Sequence, residues 1–156
     1  MAAKKFRLEK TPFGTPALVT NDDPQGRGAE TRGNMITIPD EKSDPASLPH
    51  ELMHAGVSTA SNLIPGGVVV ELLLKKLSEY GYGDRAIYQD PGERIAYGYQ
   101  EAATGQPDVG FQDSLSPESV ASYPSGKSNM LVRNLLDILG SGTEKFGRWK
   151  GKQQVK

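Results

Sequence analysis

The sequence predicts an α+β fold in which a small N-terminal sheet, antiparallel or mixed, is followed by three to four helices. Short segments that alternate apolar and polar residues lie within residues 5–39, whereas segments after residue 46 have apolar residues at helical spacing. Strands that precede helices, with no internal repeat, are typical of α+β proteins. A chain of 156 residues, 36% of them hydrophobic, can form one core, so we expect a single domain over residues 1–140.

Three strands are predicted. Residues 5–9 alternate and residues 16–20 are β-prone, and the Pro-Phe-Gly-Thr segment between them favours a hairpin turn. Residues 34–39 alternate again, and the proline that ends this segment is typical of a strand end or a sheet edge. The polar segment 21–33 is rich in glycine and other turn formers, so we expect a flexible loop there.

The helical segments that we predict are residues 47–62, 68–80, 91–104 and 129–139. Asp44 or Ser47 can cap the first of these helices, and Asp90 can cap the third. The second has apolar residues on one face and charged residues on the other, which predicts an amphipathic core helix. Residues 105–123 are expected to form a loop with one turn near its end.

Charge and composition exclude several classes of protein. The net charge of −1 argues against a basic nucleic-acid binder, so no nucleic acid is expected as a partner. Both ends of the chain are locally basic, and we interpret residues 141–156 as a basic, flexible tail. Without cysteine the chain can form neither disulfides nor thiolate metal sites. No apolar run is long enough for a signal peptide or a membrane span, which predicts a cytoplasmic protein.

The segment His50-Glu-Leu-Met-His54 carries the strongest chemical signal. Residues four apart share one face of a helix, so the imidazoles of His50 and His54, the only two histidines, can hold one Zn²⁺. Glu51 lies beside the first imidazole and can reach a water bound to the metal. The spacing therefore predicts a zinc site on the first helix.

These residues resemble the HExxH motif of the zincin metallopeptidases, and the resemblance extends over residues 34–62. It implies a minimal, gluzincin-like fold in which His50 and His54 bind zinc and Glu51 is the general base. A catalytic zinc takes three protein ligands and one open position. Val57 and Ala60 stand where the metzincin pattern places Gly and His, so an acidic third ligand is required.

The resemblance implies Glu93 as this third ligand, because many small zincins have a glutamate at the start of a later helix, three residues before an alanine, here Ala96. Glu93 could instead complete a capping box with Asp90. The other acidic candidates are Glu71, Asp84 and Glu101. An oxyanion in such enzymes is often stabilised by a tyrosine, and the sequence offers Tyr88, Tyr97, Tyr99 and Tyr123.

In zincins the edge strand beside the metal pairs with an extended substrate, which implies as substrate-binding residues Met35, Ile36, Thr37 and Ile38. We therefore expect a zinc metallopeptidase that hydrolyses a peptide bond in a protein or a cell-wall peptide. The HELMH helix with a downstream Glu-Arg-Ile-Ala-Tyr segment is also similar to small phage-encoded metallopeptidase-like proteins. The alternative is a catalytically silent component of a larger assembly, such as a phage virion.

Overall fold

The computed structural model describes residues 5–82, 87–122 and 130–155. Within these residues four strands form one mixed sheet, and they are β1 (Phe6–Lys10), β2 (Pro16–Thr20), β3 (Glu30–Arg32) and β4 (Met35–Thr37). The strand order is β1-β2-β4-β3. β1 pairs with β2 as an antiparallel hairpin, β4 lies parallel to β2, and β3 is antiparallel to β4. Helices follow the sheet, which confirms the α+β fold class.

The third strand in the chain, β3, corrects the prediction of a loop over residues 21–33. Its sequence, Glu-Thr-Arg, has no apolar alternation, so its pairing with β4 rather than its own composition makes it a strand. Arg32 pairs with Met35, which leaves Gly33 and Asn34 as a two-residue hairpin turn, and Gly33 has the positive φ of 62° that such turns require. The Gly-Asn dipeptide is the signal that could have predicted this hairpin.

Six helices follow the sheet in the described residues, more than the three to four predicted. Their bounds are α1 (Ser47–Leu63), α2 (Gly67–Tyr82), α3 (Pro91–Thr104), α4 (Val109–Ser114), α5 (Pro117–Ser122) and α6 (Met130–Gln154). The predicted first and third helices agree with α1 and α3 to within one residue at either end. The two short helices fall in the predicted loop 105–123, where six residues are too few to show a helical period. Asp108 caps α4 by accepting a hydrogen bond from the backbone N–H of Phe111.

Helix α1 lies between the sheet and α3 and is buried on both sides. Leu52 and Ala55 pack on the sheet in one core cluster, which includes Ile36. Met53 points the other way and packs against α3 in a second cluster, beside Ala96. The face of α1 that remains carries the two histidines.

Helix α2 is amphipathic, but its apolar face is not in the core as predicted. Val69, Leu72 and Leu73 are 67%, 59% and 55% exposed, so the prediction of a core helix is wrong for most of its length. Only the C-terminal end is buried, where Tyr82 packs against Leu136 of α6. The helical spacing of apolar residues predicts this helix, but it does not predict whether another element packs against the apolar face.

The last helix, α6, corrects the prediction of a flexible tail from residue 141. It continues to Gln154 and packs along α3, with Gly147 and Gly151 buried in the contact. A Cβ atom on Gly147 would overlap the backbone carbonyl of Ile95, and one on Gly151 would lie 2.6 Å from the carbonyl oxygen of Tyr99. The glycines that resemble helix breakers in the sequence therefore allow two helix backbones to approach closely.

Ion pairs that are buried on at least one side join the same two helices. The guanidinium of Arg94 on α3, with a side chain only 6% exposed, lies 2.9 Å from Glu144 of α6. Arg148 of α6 lies 2.6 Å from Glu101 of α3. Each buried charge has an opposite partner, as burial requires. Two of the basic and acidic residues beyond position 140 thus hold α6 against α3 rather than forming a solvated tail.

Among the described residues, no helix is both long enough and apolar enough to cross a membrane.

Replacing Gly147 with alanine should destabilise the protein, because the new methyl group would meet the backbone of α3. We expect Gly147→Ala to lower the free energy of unfolding by about 1–3 kcal/mol, the usual cost of overpacking. Gly142 lies on the same helix, and a Cβ there meets no atom within 4 Å. Gly142→Ala should therefore stabilise the protein by about 0.5–1 kcal/mol through helix propensity. Urea unfolding of both variants makes the comparison, and equal stability of the two would contradict the α3–α6 packing.

Candidate metal centre

The two histidines of α1 lie one turn apart at the N-terminal end of the helix. Pro49 is tolerated here because the first-turn backbone N–H groups have no partner within the helix. With Leu52 and Met53 buried on the other two sides of α1, the rings of His50 and His54 face the same space. Their Nε2 atoms are 3.1 Å apart. Local helix geometry alone is sufficient to bring these two nitrogens together.

The first turn of α3 brings a carboxylate to the same point. Asp90 caps this helix by accepting a hydrogen bond from the N–H of Gly92 at 3.2 Å, and Pro91 occupies the first helical position. Oε2 of Glu93 lies 3.3 Å from Nε2 of His50 and 3.4 Å from Nε2 of His54. The alternative of a capping box does not explain this position, because the carboxylate faces the imidazoles.

The separations of these three atoms fit a zinc ion. Zinc binds nitrogen and oxygen ligands at about 2.0–2.1 Å, so neighbouring ligands of a tetrahedral site lie about 3.3–3.4 Å apart. The separations in this protein are 3.1, 3.3 and 3.4 Å. Within the described part of the chain, His50, His54 and Glu93 form the one cluster of this kind. Three protein ligands leave a fourth position open, as in catalytic zinc sites.

The electrostatics of the cluster favour a positive charge at its centre. Burial acts to raise the pKa of Glu93, but hydrogen bonds and charge from His50 and His54 outweigh it and hold that pKa at about 2. Burial acts to lower the pKa of His54, but the Glu93 carboxylate outweighs it and leaves the pKa raised. Two imidazoles and a carboxylate therefore stabilise a cation between them, whether a proton or a metal ion.

Glu51 lines the same cleft as the three ligand candidates and is 9% exposed. Its Oε2 accepts a hydrogen bond of 2.6 Å from the hydroxyl of Thr31, which also lies 3.1 Å from the backbone oxygen of Glu51. The carboxylate beside the first histidine is thus held by a residue from the sheet. Sequence reasoning missed Thr31, since the strand that carries it has no apolar pattern.

An aromatic stack supports the first histidine. The ring of Tyr97 contacts the ring of His50 edge-on, with centroids 4.3 Å apart, and stacks on Phe111 at 4.7 Å. Burial raises the pKa of Tyr97, so its hydroxyl remains protonated at neutral pH. Nδ1 of His50 is buried and has no hydrogen-bond partner among the described residues. The Tyr97 ring therefore supports this imidazole by contact, while its Nε2 faces His54 and Glu93.

Two other tyrosines that the sequence offers, Tyr88 and Tyr99, do not contact the histidines. Tyr99 packs in the core beside Met53. Tyr88 lies behind Tyr97, with ring centroids 5.4 Å apart. Tyr123 is outside the described residues. Of the three that the structure describes, Tyr97 is the one that both touches a histidine and lines the cleft.

The two rival acidic residues that the structure describes are not part of the cluster. Glu101 is buried, but its carboxylate accepts hydrogen bonds from Arg148, Gln112 and the N–H of Asp108. Glu71 is exposed on α2 and lines the cleft away from the three ligand atoms. Asp84 lies outside the described residues. The structure therefore brings Glu93, and neither Glu71 nor Glu101, to the histidines.

The predicted substrate-binding strand is not at the edge of the sheet. β4 has β2 on one side and β3 on the other, so its backbone groups already have partners on both sides. Ile36 and Ile38 are 0% and 1% exposed and belong to the core. The expectation that an extended substrate pairs with residues Met35, Ile36, Thr37 and Ile38 is therefore wrong. The strand beside the cleft is β3, which lies at the end of the strand order.

The cluster opens into a cleft of about 1110 Å³ between β3, α1, α2 and α3. Glu30 and Thr31 of β3 line this cleft, and so do the apolar side chains of Val68 and Leu72 from α2. A space of this size can accept several residues of a peptide, since pockets for drug-sized ligands are about 300–1,000 Å³.

No family model matches this chain, and comparisons with curated proteins and with solved structures found no match either. The site is therefore interpreted from its own geometry.

Removing a ligand should abolish stoichiometric zinc binding. We expect about one zinc per chain in the wild type and a loss of at least tenfold in zinc affinity for Glu93→Ala, because two imidazoles alone leave the site incomplete. Glu71→Ala is the matched control, a carboxylate removed from the same cleft, and should bind zinc as the wild type does. Metal analysis after dialysis measures the content, and titration calorimetry measures the affinity. Full zinc retention by Glu93→Ala, with loss in Glu71→Ala, would disprove the ligand set.

Proposed function

We propose that the protein is a zinc-dependent metallopeptidase. The observation that supports this most strongly is the set of three ligand atoms 3.1–3.4 Å apart, which suits a tetrahedral metal with an open position. The cluster faces a cleft rather than a closed core, and a carboxylate that is not a ligand candidate, Glu51, lines the same cleft. A structural zinc site would need a fourth protein ligand.

The chain supplies the groups that hydrolysis of a peptide bond requires. His50, His54 and Glu93 would hold the metal, which when bound lowers the pKa of a water and polarises a carbonyl group. Glu51 accepts a proton from the attacking water while the oxygen of that water bonds to the carbonyl carbon. When the C–N bond breaks, Glu51 passes that proton to the leaving amine. Tyr97 holds the ring of His50 by contact.

An extended peptide is the substrate that suits the cleft. β3 has no neighbouring strand on its outer side in the described part of the chain, so its free backbone groups can pair with a peptide by strand addition. Val68 and Leu72, which line the same cleft, are 44% and 59% exposed. Apolar side chains of a bound peptide would cover them and remove this surface from water. We therefore propose that cleaved peptides carry apolar residues near the scissile bond.

Replacing Glu51 should separate metal binding from turnover. We expect Glu51→Gln to retain zinc and to lower peptide hydrolysis by at least about a hundredfold, since general base catalysis contributes about 10²–10⁴-fold. The assay is digestion of a mixed peptide library followed by mass spectrometry, with zinc content measured on the same samples. Hydrolysis that is equal in the wild type and in Glu51→Gln would contradict the proposal.

Two neighbouring leucines of α2 test whether the apolar residues of the cleft contact the bound peptide. Leu72 lines the cleft and Leu73 does not, yet they are 59% and 55% exposed, so both substitutions remove a similar surface leucine. For peptides that the wild type cleaves, we expect Leu72→Ser to raise KM about tenfold, a value that corresponds to the loss of most of one buried leucine contact. Leu73→Ser should leave KM within about twofold. The same KM change in both variants would argue against contact between Leu72 and the bound peptide.

One observation favours the second candidate, a catalytically silent component of a larger assembly such as a phage virion. Val69 and Leu73 lie four residues apart on α2, outside the cleft, and are 67% and 55% exposed. Exposed apolar residues on one helix face are typical of interaction sites. Zinc binding without hydrolysis of any peptide in the library would favour this candidate over the peptidase.

A further inference from the structure

We propose that Thr31 is a positioning residue for the general base, and that it holds the carboxylate of Glu51 in its working orientation through the edge strand β3. This inference rests on the proposed function, because it assigns a role within that reaction. Thr31 itself contacts neither the ligand atoms nor the scissile bond in this assignment. It acts through Glu51.

The contact between the two residues is short and specific. The hydroxyl of Thr31 is 2.6 Å from Oε2 of Glu51, a distance typical of a hydroxyl hydrogen bond to an ionised carboxylate. The same hydroxyl is 3.1 Å from the backbone oxygen of Glu51. Because a hydroxyl has a single proton, the shorter contact with the charged group is the stronger one. Glu51 is 9% exposed, so water competes weakly for this bond.

The position of Thr31 is itself fixed by the sheet. Thr31 is paired with Ile36 of β4, and Ile36 is fully buried against α1. The hairpin turn at Gly33 and Asn34 sets the register of this pairing. The hydroxyl therefore approaches the start of α1 from a rigid neighbour rather than from a loop.

This arrangement has a functional consequence for the carboxylate. A glutamate side chain with both oxygens free can rotate about its last bond through a broad range of angles. With Oε2 bonded to Thr31, that rotation is restricted and one oxygen remains to accept a proton. The strand that carries Thr31 is also the strand on which we propose that the substrate pairs. Peptide binding and the orientation of Glu51 thus depend on the same short strand, β3.

The variants that test this role are Thr31→Val and Thr31→Ser. Valine keeps the volume and the β-branched shape of threonine, which strands favour, and removes only the hydroxyl. Serine keeps the hydroxyl and removes the methyl group. Thr59→Val is the matched control, because the hydroxyl of Thr59 bonds the backbone oxygen of Ala55 within α1 and does not line the cleft.

The first measurement is the kinetics of zinc-loaded protein on peptides that the wild type cleaves. We expect Thr31→Val to lower kcat about tenfold with KM within about twofold and with unchanged zinc content. Thr31→Ser should restore kcat to within about threefold of the wild type, and Thr59→Val should not change it. Equal loss in Thr31→Ser and Thr31→Val, or no loss in Thr31→Val, overturns the proposal.

The second measurement is independent of turnover. Crystal structures of the zinc-loaded wild type and of Thr31→Val compare the orientation of the Glu51 carboxylate. A carboxylate that rotates or takes two conformations in the variant supports the positioning role, and an unchanged carboxylate overturns it. If the wild type cleaves no peptide, the proposed function fails by that result alone, and the two crystal structures still decide whether Thr31 positions Glu51.

Discussion

The contact between α3 and α6 is the constraint on which the arrangement of the molecule depends. Gly147 and Gly151 let the backbone of α6 reach that of α3, and paired charges such as Arg94 with Glu144 fix the two helices along their length. With α6 behind it, α3 is held against α1 through Ala96 and its neighbours. The first turn of α3 then lies opposite the histidines. A carboxylate placed in this way by packing needs no loop to rearrange before it can bind a cation.

The candidate site consists of a local part and a distant part, and they differ in how far the sequence predicts them. His50, Glu51 and His54 follow from helix geometry, because residues four apart share a face whatever the tertiary fold. Glu93 depends on how α3 packs, and its prediction came from a family resemblance rather than from spacing. Thr31 was not predicted, because its contact with Glu51 joins a short polar strand to a helix and leaves no periodic signal.

Local sequence patterns predict part of the fold. The elements that they do not predict are those that form only through tertiary packing. α3 begins at its predicted cap, Asp90, whereas neither Asp44 nor Ser47 caps α1, which follows Ala46 without a side-chain cap. Both helices agree with their predicted bounds to within one residue, and the α+β class follows from the order of elements. β3 exists through its pairing with β4, and that pairing made β4 a central strand rather than an edge. The sequence predicts a flexible tail for the C-terminal half of α6 because glycine opposes helix formation, and only the close approach of α3 shows why the glycines are there.

The glycines of α6 also bear on how the chain folds. Four glycines, Gly140, Gly142, Gly147 and Gly151, weaken this helix as an isolated segment, since each costs about 1 kcal/mol of helix propensity relative to alanine. The C-terminal part of α6 therefore gains its order only when α3 is already present as a template. A ligand that joins α1 to α3 would then strengthen the docking of a helix that it never touches. Loss of that ligand should destabilise the C-terminal part of α6 together with the cleft, so that the first cooperative unit to unfold includes both.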